Sequence, residues 1–214
     1  MTRALAPSHP PPKPRRLAEN DPMQEFRNLL RHVAALLDAG TLTFQESTAI
    51  VGRHIQGQMA CSRLTFWTLE GEAGQRVMTR VGGFDGVTNT PILEPASLTD
   101  AEFSDYFDAL TRDGLCICDD TMADDRLLAM RESYLMPRDI RASLDAAISV
   151  NGRALGVLCC AQQGATRHWL PHEVALLRRF ASDISLQRAR RRARERQSIT
   201  PVQELSQSHS QSHS

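Results

Sequence analysis

Cysteine is the most reactive side chain in this sequence, and two cysteines stand at a spacing that could support chemistry. Cys116 and Cys118 lie two residues apart in the run LCIC. On a β-strand this spacing places both thiols on one face, where they could act as a redox pair or contribute to a metal site. A metal site would need two further ligands, however, and buried cysteine often behaves as a small apolar residue. We therefore interpret both thiols as core residues on an inner face.

The same interpretation applies to the adjacent residues Cys159 and Cys160. Consecutive residues of a strand point to opposite faces of the sheet, so these two thiols should not meet. We predict that both pack in the core.

An acidic loop follows the LCIC strand, and its carboxylates are the second candidate for chemistry. Its aspartates are Asp119, Asp120, Asp124 and Asp125. Together they could hold a metal ion or a cationic group of a ligand. Aspartates at the start of a helix also cap its free N–H groups, and these four could pair with Arg126 or Arg131. We favour capping, and we predict no metal site.

Four aromatic residues could form the walls of a ligand pocket. They are Trp67, Tyr106, Phe107 and Tyr134. Aromatic rings offer flat apolar surfaces, and tyrosine and tryptophan add a polar tip that can orient a ligand. The same residues could equally belong to the core. Trp169 precedes the last helical pattern, and we interpret it as a clamp that holds that helix to the domain.

Several kinds of catalysis lack the residues that they need. The only lysine, Lys13, lies in a proline-rich segment, which excludes a Schiff-base or phosphate-binding lysine in the core. His168 and His172 are four residues apart, but Pro171 interrupts the helical face that a zinc pair would require. The sequence also contains neither a G-x-S-x-G motif nor a glycine-rich phosphate loop. We therefore predict a noncatalytic protein.

Composition and net charge limit the classes of function that this chain can have. The chain has 214 residues, of which 41% are hydrophobic, and its formal net charge is zero. These values predict one domain with a single core and give no general attraction to nucleic acid. The sequence shows neither a secretory leader nor an apolar run of membrane-spanning length, so we predict no membrane association. The odd number of cysteines, five, is simplest to explain in the reducing cytoplasm.

Positive charge is concentrated in the run RARRRARER at residues 188–196. A solvated helix end explains this run, because arginine is favourable near a helix C-terminus. Contact with nucleic acid or an acidic partner is the alternative. No aromatic residue stands among the arginines to stack on bases, so we do not expect nucleic acid to be the partner.

The elements that must position these residues are clearest at residues 143–161, where two apolar runs flank Asn151-Gly152. That pair accepts positive φ at both central positions of a type I′ turn, which predicts a β-hairpin. The second arm is apolar at nearly every residue, as in a strand that is covered on both faces. This hairpin should therefore lie at the centre of a sheet.

Other helices and strands follow in a regular order around the hairpin. Helices are predicted over residues 23–37, 43–59, 99–110 and 125–135 and from Pro171 onward, and strands over 63–69, 76–84 and 115–118. Two of the helix starts are capping boxes, Thr43 with Glu46 and Thr99 with Glu102. Because hairpins connect most of the strands, we predict an α+β fold with a mainly antiparallel sheet.

Composition divides the chain into four segments. Residues 1–21 are predicted to be a disordered proline-rich tail, 22–187 the folded domain, 188–197 a basic helical extension and 198–214 a disordered low-complexity tail. We interpret His209 and His213, in the last of these segments, as solvated residues rather than metal ligands.

This order of motifs resembles the GAF domain, a small-molecule-binding and dimerising module of signalling proteins. It is similar to the subgroup found at the front of bacterial sensor kinases and cyclases. The resemblance is carried in order by RLTFWTL, FSDYFDAL, CICDDTMADDR, YLMPRDIRASLDAAI, GVLCC and RHW, and it covers roughly residues 26–187. It implies a GAF-like six-stranded antiparallel sheet with helices on both faces and a ligand pocket on one face. Ser143 and Asp145, in the fourth of these motifs, join the candidate ligand-binding residues.

The specialised branches of the GAF family differ in their ligands. The cyclic-nucleotide branch carries an Asn-Lys signature, which a core without lysine cannot supply. The bilin branch needs a thiol that usually stands beside a histidine, and none of the cysteines has such a neighbour. A further branch reduces free methionine sulfoxide with cysteines, and Cys116 and Cys118 invite that comparison, although their strand context differs from the pattern of that branch. We leave the ligand and any cofactor unassigned.

The resemblance leads us to predict a noncatalytic sensory or regulatory domain of bacterial signalling that binds a small molecule. The predicted ligand-binding residues are Trp67, Tyr106, Phe107, Asp119, Asp120, Tyr134, Ser143 and Asp145. We expect a homodimer that forms through the first and last helices, with a separate signalling protein as its partner. The alternatives are a thiol-dependent reductase of free methionine sulfoxide and a dimeric interaction protein whose arginine-rich segment contacts nucleic acid.

Overall fold

A computed structural model describes residues 21–208, with side chains described for residues 21–194. The proline-rich tail ahead of Asp21 and the histidines His209 and His213 lie outside the described residues. Within them, helices cover both faces of one β-sheet. None of the helices in this part of the chain is both long enough and apolar enough to cross a bilayer.

The sheet has seven strands, and every pair of neighbours is antiparallel. The strands are β1 (Arg63–Glu70), β2 (Val77–Asp85), β3 (Thr90–Pro91), β4 (Ser97–Thr99), β5 (Leu115–Cys118), β6 (Ile140–Val150) and β7 (Arg153–Gln163). Their order is β3-β2-β1-β7-β6-β5, and β4 pairs with β2 off this path. The six-stranded antiparallel path and the α+β class are therefore confirmed, and β4 is an addition to them.

The predicted hairpin is confirmed as the central element of the sheet. Asn151 and Gly152 have φ values of 53° and 77°, as a type I′ turn requires, and they join β6 to β7. Strand β7 pairs with β1 on its other side, so the apolar arm is flanked by strands and covered on both faces.

Three helices cover one face of the sheet: α1 (Pro22–Asp38), α2 (Phe44–Met59) and α4 (Pro171–Ser208). Asp21 caps α1, where its carboxylate accepts a hydrogen bond from a backbone N–H of the first turn. The predicted capping box of α2 is confirmed, since Thr43 and Glu46 each accept a hydrogen bond from the other's backbone N–H. Phe26 of α1 and Phe180 of α4 meet edge to face with 4.6 Å between ring centroids, which packs these helices together over the core.

The last helix passes through the predicted basic extension and continues to Ser208. The sequence predicts an unstructured tail from residue 198, whereas α4 runs as helix as far as Ser208. A helix that already exists can be extended without a new nucleation step, so weak local propensity does not end it.

The other face is covered by α3 (Ser104–Asp113) and by a helical segment over residues 125–138, called the cover segment below. The sequence predicts a regular helix over 125–135, but the cover segment consists of a 3-10 turn, a π-helical turn and a second 3-10 turn. Its buried residues Leu127, Met130 and Leu135 are spaced by three and then five positions. These spacings match a tighter and then a wider turn than the α-helix, so packing on the sheet decides the local geometry.

The start of α3 also differs from its prediction. The sequence places a capping box at Thr99 and Glu102, but α3 begins at Ser104, and no side chain caps it. Thr99 instead ends β4, where it pairs with Val77 of β2. Pairing in the sheet therefore prevails over the local capping signal.

Candidate ligand pocket

The cover segment and α3 enclose a pocket against the sheet face formed by β1, β2, β6 and β7. Its volume is about 40 Å³, which is room for a few water molecules. The sheet side of the pocket consists of alternate residues of each strand, because such residues share a face. They include Thr65 and Trp67 on β1 and Ser143 and Asp145 on β6.

Five of the predicted ligand-binding residues line this pocket. They are Trp67, Tyr106, Tyr134, Ser143 and Asp145. The rings of Trp67 and Tyr134 meet edge to face with 6.1 Å between centroids. The indole Nε1 of Trp67 donates a 2.9 Å hydrogen bond to Thr65 Oγ1, which fixes the ring against the strand. The fold thus brings β1, α3, the cover segment and β6 to one site.

The other three predicted residues lie outside the pocket. Phe107 is fully buried behind Tyr106, with 5.7 Å between the ring centroids. Asp119 accepts a 3.1 Å hydrogen bond from the backbone N–H of Trp169, which ties the end of β5 to the approach of α4. Asp120 accepts a 2.9 Å hydrogen bond from a backbone N–H within its own turn. Their contacts are those of core packing and loop structure.

A buried carboxylate stands at the inner end of the pocket. The hydroxyl of Tyr106 donates a 3.0 Å hydrogen bond to Asp145 Oδ2, and both side chains are buried. The other oxygen, Asp145 Oδ1, has no hydrogen-bond partner among the described residues. Burial raises the pKa of Asp145 to about 7, and the hydrogen bond from Tyr106 and the neighbouring Cys159 thiol offset only part of that rise. Near neutral pH this group can therefore either donate or accept a proton.

Three arginines surround the aromatic walls, and the sequence analysis did not identify them. They are Arg63, Arg80 and Arg138. The side chain of Arg80 is 3% exposed, and its Nε donates a 2.8 Å hydrogen bond to the carbonyl oxygen of Glu94. Its guanidinium lies 5.7 Å from the ring centroid of Trp67, and that of Arg138 lies 4.3 Å from the ring centroid of Tyr134. Burial lowers the pKa of Arg80, but arginine stays protonated in proteins, so the pocket holds positive charge.

One of these arginines carried a usable signal in the sequence. In β2 the side chains of Met78 and Arg80 are buried, whereas Val77 and Thr79 are exposed. A charged residue at an inward position of an alternating strand indicates a buried ion that needs partners. Arg138 carried no such signal, because it reaches the pocket only through the irregular path of the cover segment.

A comparison with models of protein families identifies the family of this chain. The family model described as GAF domain matches residues 21–187, which is most of the chain. The chain belongs to the GAF domain family. A comparison with curated protein sequences gives no significant match.

Solved GAF domains share the fold at low sequence identity. The phycoerythrobilin-bound GAF domain from a cyanobacterial phytochrome is 10% identical with a TM-score of 0.61, over 79% of this chain and 97% of that one. The blue-light absorbing PixJ GAF domain of Thermosynechococcus elongatus is 16% identical with a TM-score of 0.55, over 85% and 96%. The GAF domain from an Acinetobacter phosphoenolpyruvate-protein phosphotransferase is 11% identical with a TM-score of 0.56, over 82% and 96%.

The cysteines of this GAF domain are free and mostly buried. Cys116 and Cys118 are buried on one face of β5 while Ile117 is exposed, which confirms that the two thiols share a face. Burial raises the pKa of Cys116 to about 12 and also raises the pKa of Cys118. Because the thiolate is the nucleophile, burial disfavours the reactive form of both residues. Cys160 packs under the helices, and Cys159 lines the pocket, so these two do point to opposite faces.

The acidic loop of this GAF domain has structural contacts. Asp124 caps the cover segment, where its Oδ1 accepts hydrogen bonds of 3.0 and 2.9 Å from the backbone N–H and Nε of Arg126. Across the described residues, no three His, Cys, Asp or Glu side chains are grouped so that they could hold a metal ion. The indole of Trp169 is buried and donates a 3.2 Å hydrogen bond to the carbonyl oxygen of Cys118, which confirms its interpretation as a clamp.

Proposed function

We propose that this GAF domain is a noncatalytic sensory domain of bacterial signalling that binds a small anionic molecule in the pocket under the cover segment. The observation that carries the proposal is Arg80. Its guanidinium is almost fully buried over Trp67, and its ion pair with the exposed carboxylate of Glu94 is long, at 3.6 Å. Its hydrogen bonds to the carbonyl oxygen of Glu94 leave this buried cation without a close carboxylate, and carboxylate or phosphate oxygens are the partners that arginine recognises best.

The remaining pocket groups define the rest of the ligand. Trp67 and Tyr134 provide flat walls, which suit an apolar or aromatic body. Asp145 Oδ1 offers an open hydrogen-bonding position at the inner end. The ligand of the proposal therefore carries an acidic group at one end and a hydrogen-bonding group at the other.

Ligand entry requires the cover segment to move. The present volume of about 40 Å³ lies well below the roughly 300 Å³ at which ligand pockets begin. One structural neighbour is a phycoerythrobilin-bound GAF domain, which supports a small-molecule site on this fold. In this chain, outward displacement of the irregular segment over residues 125–138 would open the space.

The proposal predicts that Arg80→Met abolishes ligand retention. Native mass spectrometry of the purified full chain should show a bound adduct in the wild type, and its fraction should fall at least tenfold in the variant. Arg112→Met is the matched control, because Arg112 is 70% exposed and lies outside the pocket. Thermal unfolding with a panel of carboxylate and phosphate metabolites provides a second measurement. A wild type without an adduct that gains no stability from any anion would contradict the proposal.

The proposal also includes a homodimer that forms through α1 and α4. These helices are held together by an ion pair of 3.1 Å between Arg27 and Asp183, and Leu186 on α4 is 48% exposed. An interface formed by these helices would bury this leucine. A separate signalling protein would then receive the signal.

Leu186→Glu is predicted to convert the dimer into a monomer, because a buried interface cannot accommodate an unpaired carboxylate. Sedimentation velocity over a range of concentrations measures the change. Leu128→Glu serves as the control, since Leu128 is 59% exposed and lies in the cover segment on the opposite face of the sheet. A monomeric wild type would exclude the dimer.

A further inference from the structure

A second and larger cavity lies on the other face of the sheet, beneath α1 and between α2 and α4. Its volume is about 260 Å³. Its walls include Leu30 and Val33 of α1, Val51 of α2, and Phe66 and Ile148 of the sheet. We call it the helical-face cavity, and no part of the sensory pocket proposal involves it.

The helical layer is filled by aromatic rings at one end and is open at the other. Near the start of α1, Phe26, His54 and Phe180 fill the space between the helices, with ring centroids 4.6 to 6.4 Å apart. Near the end of α1 the corresponding positions include Ala34 and Ser47. The cavity opens to solvent, since Phe44 in its wall is 56% exposed. A concave apolar surface of this size that is open to solvent is a candidate binding site.

The cavity wall is apolar in character, even where it contains hydroxyl groups. Ser47 Oγ donates a 2.6 Å hydrogen bond to the carbonyl oxygen of Phe44, and Thr48 Oγ1 donates a 2.7 Å hydrogen bond to that of Gln45. Both donors are thus used within α2 and are not available to an occupant. A hydrocarbon chain is the chemistry that such a wall accepts.

The mouth of the cavity has the opposite character. It is lined by Arg188, Arg190, Arg191 and Arg194 of α4. Among the described residues that line the cavity, the one carboxylate is that of Asp38, whose Oδ1 lies 3.9 Å from Arg191 Nη2. Arg188 and Arg190 place positive charge at the opening, so the occupant should carry a negative group there.

We propose that the helical-face cavity binds a single-chain amphiphile with an anionic head, such as a medium-chain fatty carboxylate. The hydrocarbon chain lies among Leu30, Val33 and Val51, and the carboxylate lies at the arginines of α4. This assignment also gives a role to the basic run of α4, which the sequence interpreted as a solvated helix end.

Calorimetric titration of the full chain with decanoate, below its micelle concentration, tests the proposal. We expect saturable binding of one decanoate per chain. Octanoate should bind more weakly by roughly tenfold or more, because each buried methylene contributes about 0.8 kcal/mol, close to a fourfold change. Decyltrimethylammonium has the same chain with a positive head, and it should bind at least tenfold more weakly than decanoate. Equal binding of the two head groups would overturn the charge assignment and with it the proposal.

A pair of neighbouring alanines supplies the matched variants. Ala34 lines the cavity, whereas Ala35 is exposed on the same helix. Ala34→Phe fills the space and should abolish decanoate binding, while Ala35→Phe should leave it unchanged. Ser47→Leu is a second filling variant, in case Ala34→Phe does not fold. Unchanged decanoate binding by a folded filling variant would overturn the proposal.

Two other occupants would give different results. If α1 and α4 of a second copy cover the cavity, the wild type fails to bind decanoate and Ala34→Phe alters the sedimentation coefficient. If the arginines contact a membrane surface, the wild type and Ala34→Phe co-sediment equally with phosphatidylglycerol vesicles, and neither binds free decanoate. Either result overturns the amphiphile assignment, and neither affects the sensory pocket on the opposite face.

Discussion

Replacing Arg76 with alanine is expected to lower the free energy of unfolding by about 3–5 kcal/mol. Arg76 lies just before β2, and its Nε pairs with Asp100 at 2.5 Å while its Nη2 pairs with Asp108 at 2.6 Å. Its Nη1 also donates a 2.6 Å hydrogen bond to Thr111 Oγ1. These contacts join the start of β2 to α3. The large effect arises because the carboxylate of Asp100 is only 2% exposed and would lose its counter-charge.

Urea unfolding followed by circular dichroism measures the loss. Arg112→Ala is the control, since the 2.9 Å pair between Arg112 and Asp113 is exposed to solvent and should contribute far less to stability. The double variant Arg76→Met with Asp100→Leu should be less destabilised than Arg76→Ala, because it leaves no buried charge unpaired. A loss below about 1 kcal/mol for Arg76→Ala would contradict the assignment of this buried pair.

The pair between Arg76 and Asp100 should also make the free energy of unfolding depend on pH in the acid range. Burial acts to raise the pKa of Asp100, but hydrogen bonds from Arg76 and from the backbone N–H of Gly74 prevail and lower it. A carboxylate with a lowered folded pKa contributes stability that is present above its unfolded value, near pH 4, and is lost as pH falls through the folded pKa. Arg76→Ala should therefore lose less stability than the wild type on acidification below pH 4.

Asp145→Asn is expected to stabilise the domain above pH 7 by an amount on the order of 4 kcal/mol. Burial raises the folded pKa of Asp145 from 3.8 to about 7. Because the folded pKa is raised, the contribution of this carboxyl group to the free energy of unfolding is fully present below pH 3.8. It is lost as the pH rises toward 7. Asparagine has a similar shape and does not titrate, so the variant removes this loss.

The test compares the unfolding free energies of the two proteins from pH 4 to pH 8. Their difference should be close to zero at pH 4, grow with pH and level off above 7. Asp113→Asn is the control, since Asp113 is about half exposed in its pair with Arg112 and should show no such growth. A difference that does not change with pH would show that Asp145 is not held protonated by its surroundings. Tyr106→Phe, which removes the donor to Oδ2, should increase the pH dependence.

Local signals in the sequence were sufficient to predict the main helices and strands of the fold. Asn151-Gly152 is compatible with few backbone conformations other than the turn that it forms, so it places β6 beside β7. Thr43 and Glu46 satisfy each other within four residues, so the start of α2 needs no distant partner. Where a local capping signal competed with strand pairing, strand pairing decided the structure. Thr99 therefore ends β4 and does not begin α3.

The candidate pocket was predictable only in part. Trp67, Ser143 and Asp145 lie on strands, and strand alternation places them on one face. Asp119 and Asp120 were predicted with them because they are close in sequence to the same motifs, yet their carboxylates are used within the loop and at the approach of α4. Arg138 could not be predicted, because its position depends on the 3-10 and π turns of the cover segment.

By itself the sequence determined the antiparallel hairpin, the start of α2 and the α+β class, because these depend on turn chemistry, capping and hydrophobic period. The resemblance of its motifs to the GAF domain implied the helices on both faces. Only the tertiary structure decided where charge is buried and where space remains. Arg80 lies over Trp67 because these residues are paired in the register of β1 and β2, and Asp145 of β6 meets Tyr106 of α3. The helical-face cavity lies between three separate helices and the sheet. Such coincidences depend on packing in three dimensions, which residue periodicity does not encode.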